Sequence, residues 1–266
     1  MVEKYDQIGG HYNNTRKADS FIVDRLYRYL NPRERGKYLD IGCGTGNYTI
    51  ALNERGVNYV GVDPSIEMLK KARERTRTVE WIIGRSEKLP IDDVSVDGVT
   101  ATLTIHHWDN LDQAFRELLR VLKPFRRIVI FTSTSPQMKG YWLNHYFPKI
   151  LEESTKQMPT FGIIEASMKK AGFKIIESEK YFVQPDLEDL FLYSGKYDPS
   201  RYLNKDFRKG ISTFTNMASR TELETGLRNL ARDVESEKVW EVIERYSNNR
   251  GDYLFLVGEK RETPPE

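Results

Sequence analysis

Residues 40–47, Asp40-Ile41-Gly42-Cys43-Gly44-Thr45-Gly46-Asn47, set three glycines at every second position. They follow a short apolar run, Lys37-Tyr38-Leu39-Asp40-Ile41, and precede a helix-compatible stretch from Tyr48 to Arg55. This order of strand, glycine turn and helix constrains the fold more than any other feature of the chain. Glycine lacks the Cβ that would block a ligand's approach, and exposed amides at a helix start favour an anionic group such as a carboxylate or phosphate. The spacing excludes two common uses of such a turn. A dinucleotide fingerprint needs its third glycine at position 47, where Asn47 stands, and a phosphate-cradling Walker loop needs a Gly-Lys-Ser/Thr that does not follow.

The same alternation continues along the chain. Tyr59 to Val62 reads as a strand, Ser65 to Arg75 as a helix, Val79 to Ile83 and Val96 to Thr102 as strands, and Leu111 to Leu122 as an amphipathic helix. Arg127 to Phe131 gives a fifth strand, Ile163 to Ala171 a helix closed by Gly172, and Phe173 to Val183 a sixth strand. Ile22, Leu26, Tyr29 and Leu30 recur at helical spacing ahead of the first strand, and Asn31-Pro32 ends that helix. Alternation of this kind predicts an α/β chain with a mostly parallel sheet covered on both faces.

After residue 183 the rhythm changes. Leu223, Leu227, Leu230 and Val234 form one helical stripe and Val239, Ile243 and Tyr246 another, before Asp252 to Val257 resumes strand character. The division expected is an amino-terminal arm and helix over 1–36, a core over 37–183 interrupted at about 135–160, a helical cap over 184–250, a last core strand over 251–260 and a disordered tail over 261–266.

Composition narrows the functional classes. The 266 residues are 39% hydrophobic and 30% charged, with 41 Lys and Arg against 39 Asp and Glu, and a mean hydropathy of −0.61. That near balance, without an arginine-rich tract, argues against nucleic-acid binding. No apolar stretch is long enough for a bilayer span or a signal segment, and the single cysteine, Cys43, permits no internal disulfide. A cytoplasmic protein without membrane attachment, monomeric or homodimeric, is the expectation.

Asp63 ends the second strand about 20 residues after the glycines, where a carboxylate can accept both hydroxyls of an adenosine ribose. The alternative is that Asp63-Pro64-Ser65 only caps the next helix. The run Leu39 to Gly46 resembles motif I of the class I S-adenosylmethionine-dependent methyltransferases, and Val60-Gly61-Val62-Asp63-Pro64-Ser65 resembles the acidic segment that follows it. Gly84-Arg85-Ser86-Glu87-Lys88-Leu89-Pro90 is similar to the adenine-side loop, Val96-Asp97-Gly98-Val99 to the fourth strand, and Arg120-Val121-Leu122-Lys123-Pro124 to the turn before the fifth. These segments span residues 37 to about 132 and are most like the small-molecule branch.

The resemblance implies a Rossmann-like, seven-stranded, doubly wound sheet with an antiparallel last strand and helical lid insertions. It also implies that S-adenosylmethionine is bound and S-adenosylhomocysteine released. Gly42, Cys43 and Gly44 would hold the methionyl moiety, with Asp40 near its ammonium. Asp63 and Pro64 would hold the ribose, Ser86 and Glu87 would address the adenine, and Leu103 would complete the site. Arg85 departs from an aspartate common at its place in the family, and Phe125-Arg126 replaces a usual glycine pair.

A sulfonium donor is already activated, so the protein's task is to align acceptor, methyl and sulfur and to exclude water. A general base helps where the acceptor must lose a proton, and histidine has the right pKa. His106 and His107 follow the fourth strand, at the carboxyl edge where ligands of such sheets bind. Consecutive residues of an extended loop point opposite ways, so one of the two, His106 before His107, is expected to face the site. Each also has a plain packing role open to it. Asp109 or Asn110 caps the helix that follows, and two histidines with one acid lack the spacing of a metal site.

Tyr5, Tyr12 and Arg16 resemble an amino-terminal lid over the cofactor. Arg16 suits a carboxylate, and an aromatic face suits a sulfonium cation. The insertions hold Tyr141, Trp142, Tyr146, Phe147, Phe191, Tyr193, Tyr197, Tyr202, Phe207 and Phe214. These either bury an apolar acceptor or form the lid's own core. The reading is thus a methyltransferase acting by in-line displacement on a small-molecule acceptor. The alternatives are one acting on RNA or protein, or a non-catalytic module that binds the cofactor.

Overall fold

Every apolar run expected as a strand is one. The strands are β1 (Lys37–Ile41), β2 (Asn58–Asp63), β3 (Glu80–Ile83), β4 (Val96–Thr102), β5 (Leu122–Thr132), β6 (Phe173–Tyr181) and β7 (Tyr253–Lys260). In the computed structural model, which describes residues 16–216 and 219–261, they form one sheet in the order β3-β2-β1-β4-β5-β7-β6. β1 to β5 pair in parallel, while β7 runs antiparallel to both β5 and β6. Strand order reverses at β1, whose neighbours are β2 and β4. The crevice outside the carboxyl ends of these strands is where an open α/β sheet binds its ligand.

The helices of the core are α1 (Ser20–Leu30), α2 (Asn47–Glu54), α3 (Ile66–Arg75) and α4 (Leu111–Val121). The starts of α1, α3 and α4 follow from side-chain caps that satisfy first-turn amides: Asp19 accepts from Ile22 N, Ser65 from Met68 N and Asn110 from Gln113 N. The first insertion holds three short helices, α5 (Ser135–Met138), α6 (Leu143–Tyr146) and α7 (Pro148–Lys156), before α8 (Phe161–Ala171) returns to the sheet. The second holds a 3-10 turn over Pro199–Leu203, then α9 (Lys205–Lys209), α10 (Ser212–Asn216), α11 (Arg220–Glu235) and α12 (Val239–Arg245).

Two buried clusters cover the two sheet faces. Phe115 and Leu118 of α4 and Ile164 and Met168 of α8 share one with Leu39, Val99, Ile128 and Leu256. Ile22 and Leu26 of α1, Leu52 of α2 and Leu69 of α3 share the other with Tyr38, Tyr59, Val129 and Phe131. This second cluster runs on into the cap through Trp142, Phe147, Tyr202 and Phe214. Most aromatics of the insertions are therefore cap core: Trp142 meets Tyr146 and Tyr202 edge to face, and Tyr141 stacks on Tyr193 at 3.9 Å. Tyr197 is exposed, and Phe191 reaches a cavity described below.

Two details differ from the sequence reading. β5 starts at Leu122, not Arg127, so Lys123-Pro124 belongs to the strand; Val96 pairs with Leu122 before the register shifts. Phe125 adopts φ 57, the left-handed conformation that the family's usual glycine takes at no steric cost. Tyr5, His11, Tyr12 and the expected tail Thr263–Glu266 lie outside the described residues. No helix among the described residues is long and apolar enough to cross a membrane.

Candidate active site

Three contiguous cavities open at the carboxyl edge of the sheet. The first, a cleft, is lined by Arg16, Asp40, Gly42, Cys43, Gly44, Thr45, Asn47, Tyr48, Asp63, Met68, Thr102, Leu103, Thr104 and His107. It shares Gly42, Asp63, Thr104 and His107 with a second cavity that continues along Pro64, Ser65, Arg85, Ser86, Glu87 and Trp108. Every residue expected around a nucleoside ligand that lies within the described chain therefore borders one continuous groove.

The glycine turn is built around Asp63. Gly44 N donates to Asp63 Oδ2 at 2.8 Å and Ser65 N to Asp63 Oδ1 at 2.9 Å. Ser65 itself caps α3, while Asp63 braces the turn and borders the cleft. The amides are not the exposed donors the sequence suggests. Gly42 N and Cys43 N both donate to Val62 O, and Gly44 N is taken by Asp63. What the turn offers is space. Gly44 adopts φ 54, and a Cβ there would meet nothing within 4 Å, whereas a Cβ on Gly42 would lie 1.9 Å from Thr104 Oγ1.

Asp40 is buried and accepts hydroxyl hydrogens from Thr49 at 2.5 Å and Thr100 at 2.9 Å. Burial pushes its carboxyl up to about 6, the two threonines opposing this and the neighbouring Asp63 charge adding to it. Burial, with the charges of Asp63 and Asp40, also pushes the Cys43 thiol well above its ordinary range, so Cys43 is a wall residue and not a nucleophile. Along the second cavity, Glu87 Oε1 accepts from Asn110 N at 3.2 Å, and Arg85 pairs with exposed Asp109 at 3.4 Å.

The third cavity lies beneath the two insertions. Its walls come from the end of β4 (Leu103, His106, His107), the segment after β5 (Ser133, Met138), the end of α7 (Ser154, Gln157, Met158), the cap (Phe191, Leu192, Ile211, Thr213) and Tyr253 at the start of β7. Arg16, Leu103 and His107 border both this chamber and the cleft. Leu103 holds φ 53, a strained conformation for a leucine, fixed by its N–H donating to Phe131 O at 2.7 Å.

The two histidines do not diverge as an extended loop would have them. They lie on a 3-10 turn, Ile105–His107, with ring centroids 3.9 Å apart, and both reach the chamber. His107 also borders the other two cavities; His106 borders the chamber alone. Arg16 is held by a carboxylate of this chain, Asp189: its Nε pairs with Oδ1, and Nη2 with Oδ2 at 3.1 Å. Phe191 was among the insertion aromatics named from the sequence, but Asp189, Leu192, Ile211 and Thr213 carried no sequence signal, since they converge from distant segments. Thr102 and Thr104 had a positional one, flanking the β4 edge. Among the described residues no group of three His, Cys, Asp or Glu side chains has a metal-holding arrangement.

The lining fits an adenosyl-amino-acid ligand. Thr45 and Thr102 present buried hydroxyls with no hydrogen-bond partner among the described residues, Gly44 leaves open the space its Cβ would fill, and two carboxylates line the same wall.

Residues 39–130 match a methyltransferase domain family model. A solved structure described as a methyltransferase from an antibiotic biosynthesis pathway of Anabaena variabilis superposes with a TM-score of 0.81 at 32% identity, over 91% of this chain and 98% of that one. The ubiquinone/menaquinone biosynthesis C-methyltransferase UbiE of Rubrivivax gelatinosus is 28% identical over 184 residues, 67% of this chain and 71% of that protein. An uncharacterised methyltransferase of Mycobacterium tuberculosis is 36% identical over 113 residues, 42% of this chain and 46% of its own length. The sheet order, the glycine turn braced by Asp63 and these similarities define the class: the chain belongs to the class I S-adenosylmethionine-dependent methyltransferases, and most resembles their small-molecule branch. It is a methyltransferase enzyme.

Proposed function

We propose that the enzyme methylates a small molecule held in the chamber beneath the insertions, with the donor in the cleft along the glycine turn. The observation that carries this reading is the junction of Arg16, Leu103 and His107, where the two cavities meet. When bound, S-adenosylmethionine supplies a methyl group on sulfonium sulfur, already activated for in-line displacement, and leaves as S-adenosylhomocysteine.

The chain's own residues then have separable tasks. Asp63 accepts the ribose hydroxyls on oxygens that already hold the turn, since each carboxylate oxygen has more than one acceptor site. Asp40 opposes the ammonium, and the segment from Ser86 to Glu87 flanks the adenine. Leu103 and His107 set the boundary across which donor and acceptor face each other. His106 and His107 are the candidates to take a proton from the acceptor.

The chamber wall is amphiphilic: Met138, Met158, Phe191, Leu192 and Ile211 alternate with Ser133, Ser154, Gln157, Thr213 and the histidines. Such a wall suits an acceptor with an apolar body and a few polar groups. A volume closed over by two insertions supports a small molecule over RNA, protein or a purely binding role. The quinone-pathway name of the UbiE relative supports the same class. The test uses methyl-labelled S-adenosylmethionine with separate pools of small-molecule extract, RNA and protein. Label entering the small-molecule pool is expected; label entering only RNA or protein overturns the reading.

A further inference from the structure

Asp189 is fully buried in the segment that leads from β6 into the cap, and it forms an ion pair with Arg16. Its Oδ1 accepts from Arg16 Nε, and its Oδ2 accepts from Arg16 Nη2 at 3.1 Å and from the Tyr48 hydroxyl at 3.0 Å. Tyr48 lies on α2, directly behind the glycine turn. The backbone carbonyl of Arg16 in turn accepts from Asn47 Nδ2 at 3.1 Å. Asp19, three residues further on, ties the same two segments a second time by accepting from Glu188 N at 3.0 Å. Arg16 is thereby fixed, by side chain and main chain, where the cleft and the chamber meet.

A guanidinium stays charged at any working pH. A fixed cation at the junction repels a sulfonium donor and has no such effect on the neutral thioether product, because like charges in a partly dry site interact over several ångströms. We propose that Asp189 is a charge-balancing positioning residue: by cancelling Arg16 at the junction it lets the site admit and retain a cationic donor. Tyr48 holds the second lone-pair direction of the carboxylate and so links that balance to the helix behind the glycine turn. This inference rests on the donor site proposed above.

The test reads a ratio, not an affinity. Dissociation constants for S-adenosylmethionine and S-adenosylhomocysteine are measured by calorimetry on the full chain and on three variants: Asp189→Asn, Arg16→Gln and the double variant. Asp189→Asn removes one negative charge beside Arg16 and should weaken the sulfonium ligand relative to the thioether by about threefold to tenfold, the scale of one unit charge across several ångströms at intermediate dielectric. Arg16→Gln leaves the carboxylate and should shift the ratio the opposite way. The double variant, with no charge on either side, should restore it. A merely structural role lowers both affinities together and cannot reverse the sign.

A ratio unchanged within about twofold in Arg16→Gln, or one that stays shifted in the double variant, overturns the proposal, even if Asp189→Asn fails to fold. Sinefungin, with an amine cation in place of the sulfonium, should follow S-adenosylmethionine; if it follows S-adenosylhomocysteine, the effect is steric and the proposal fails. A folded wild-type protein that binds none of the three overturns the donor site itself.

Discussion

The amide of Gly44 and the carboxylate of Asp63, 19 residues apart in sequence, are joined by a hydrogen bond of 2.8 Å. One residue of the turn that meets the ligand is thus held by the residue assigned to the ribose. With Ser65 N on its other oxygen, Asp63 ties the first glycine turn to the start of α3 before any ligand binds. Removing it therefore has two consequences. Asp63→Ala should lower the stability of the ligand-free protein by about 1 to 3 kcal/mol, the cost of two buried amides losing their acceptor. It should also abolish S-adenosylhomocysteine binding. Chemical denaturation and calorimetry read the two effects separately; a variant of wild-type stability would show that the brace contributes nothing.

Gly42 and Gly44 should respond differently to alanine. At Gly42 the new Cβ would fall 1.9 Å from Thr104 Oγ1, so Gly42→Ala forces the β4 edge to move and should unfold or strongly destabilise the chain. At Gly44 the Cβ meets only open space, leaving the cost of a left-handed alanine, about 1 kcal/mol. Gly44→Ala should therefore fold and fail to bind the donor. Thermal unfolding with and without S-adenosylhomocysteine separates them: a ligand-induced rise in Tm for Gly44→Ala would contradict the placement of the donor.

Asp40 gives a pH signature. Its carboxyl is pushed up to about 6 by burial, so the folded state holds this proton more tightly than the unfolded chain does. The resulting stabilisation is full below pH about 4 and lost as pH rises through about 6, amounting to roughly 2 to 3 kcal/mol. Asp40→Asn keeps polar contacts to Thr49 and Thr100 without the charge. Its stability relative to the wild type should rise across that window, while its affinity for the amino-acid end of the donor falls. Parallel unfolding curves from pH 4 to 8 would contradict the assignment.

The histidines should separate by ligand. His107 borders all three cavities, so His107→Ala should change both S-adenosylhomocysteine affinity and turnover. His106 borders the chamber only, so His106→Ala should leave that affinity within about twofold and lower kcat by about 10²-fold or more if it is the base. Unchanged turnover in both variants would assign proton removal to solvent or to the acceptor itself.

The sheet and the glycine turn were legible because they are local. Lys37 to Asn47 encodes strand, turn and helix in one stretch, and Asp63 closes the next strand at a fixed distance. The end of β4 was legible only in part: the sequence places His106 and His107 at the right edge, but the tight turn that brings both rings together follows from tertiary contacts. Beyond Arg16, Leu103 and the two histidines, only Phe191 of the chamber was named, because Ser133, Ser154, Thr213 and Tyr253 converge from four other segments with no shared pattern. Asp189 was hidden for the same reason, its role existing only once Arg16 folds against it. The aromatic-rich insertions invited a substrate role, yet burial assigns nearly all of those rings to the cap's own core.

The measurement that tests the central claim most directly is calorimetric titration of the purified chain with S-adenosylhomocysteine, beside Asp63→Ala and with NADH as control. Saturable one-to-one binding, lost in the variant and absent with NADH, is the predicted result. No heat from a folded wild-type sample, or binding that survives in a folded Asp63→Ala variant, would contradict the donor site along the glycine turn.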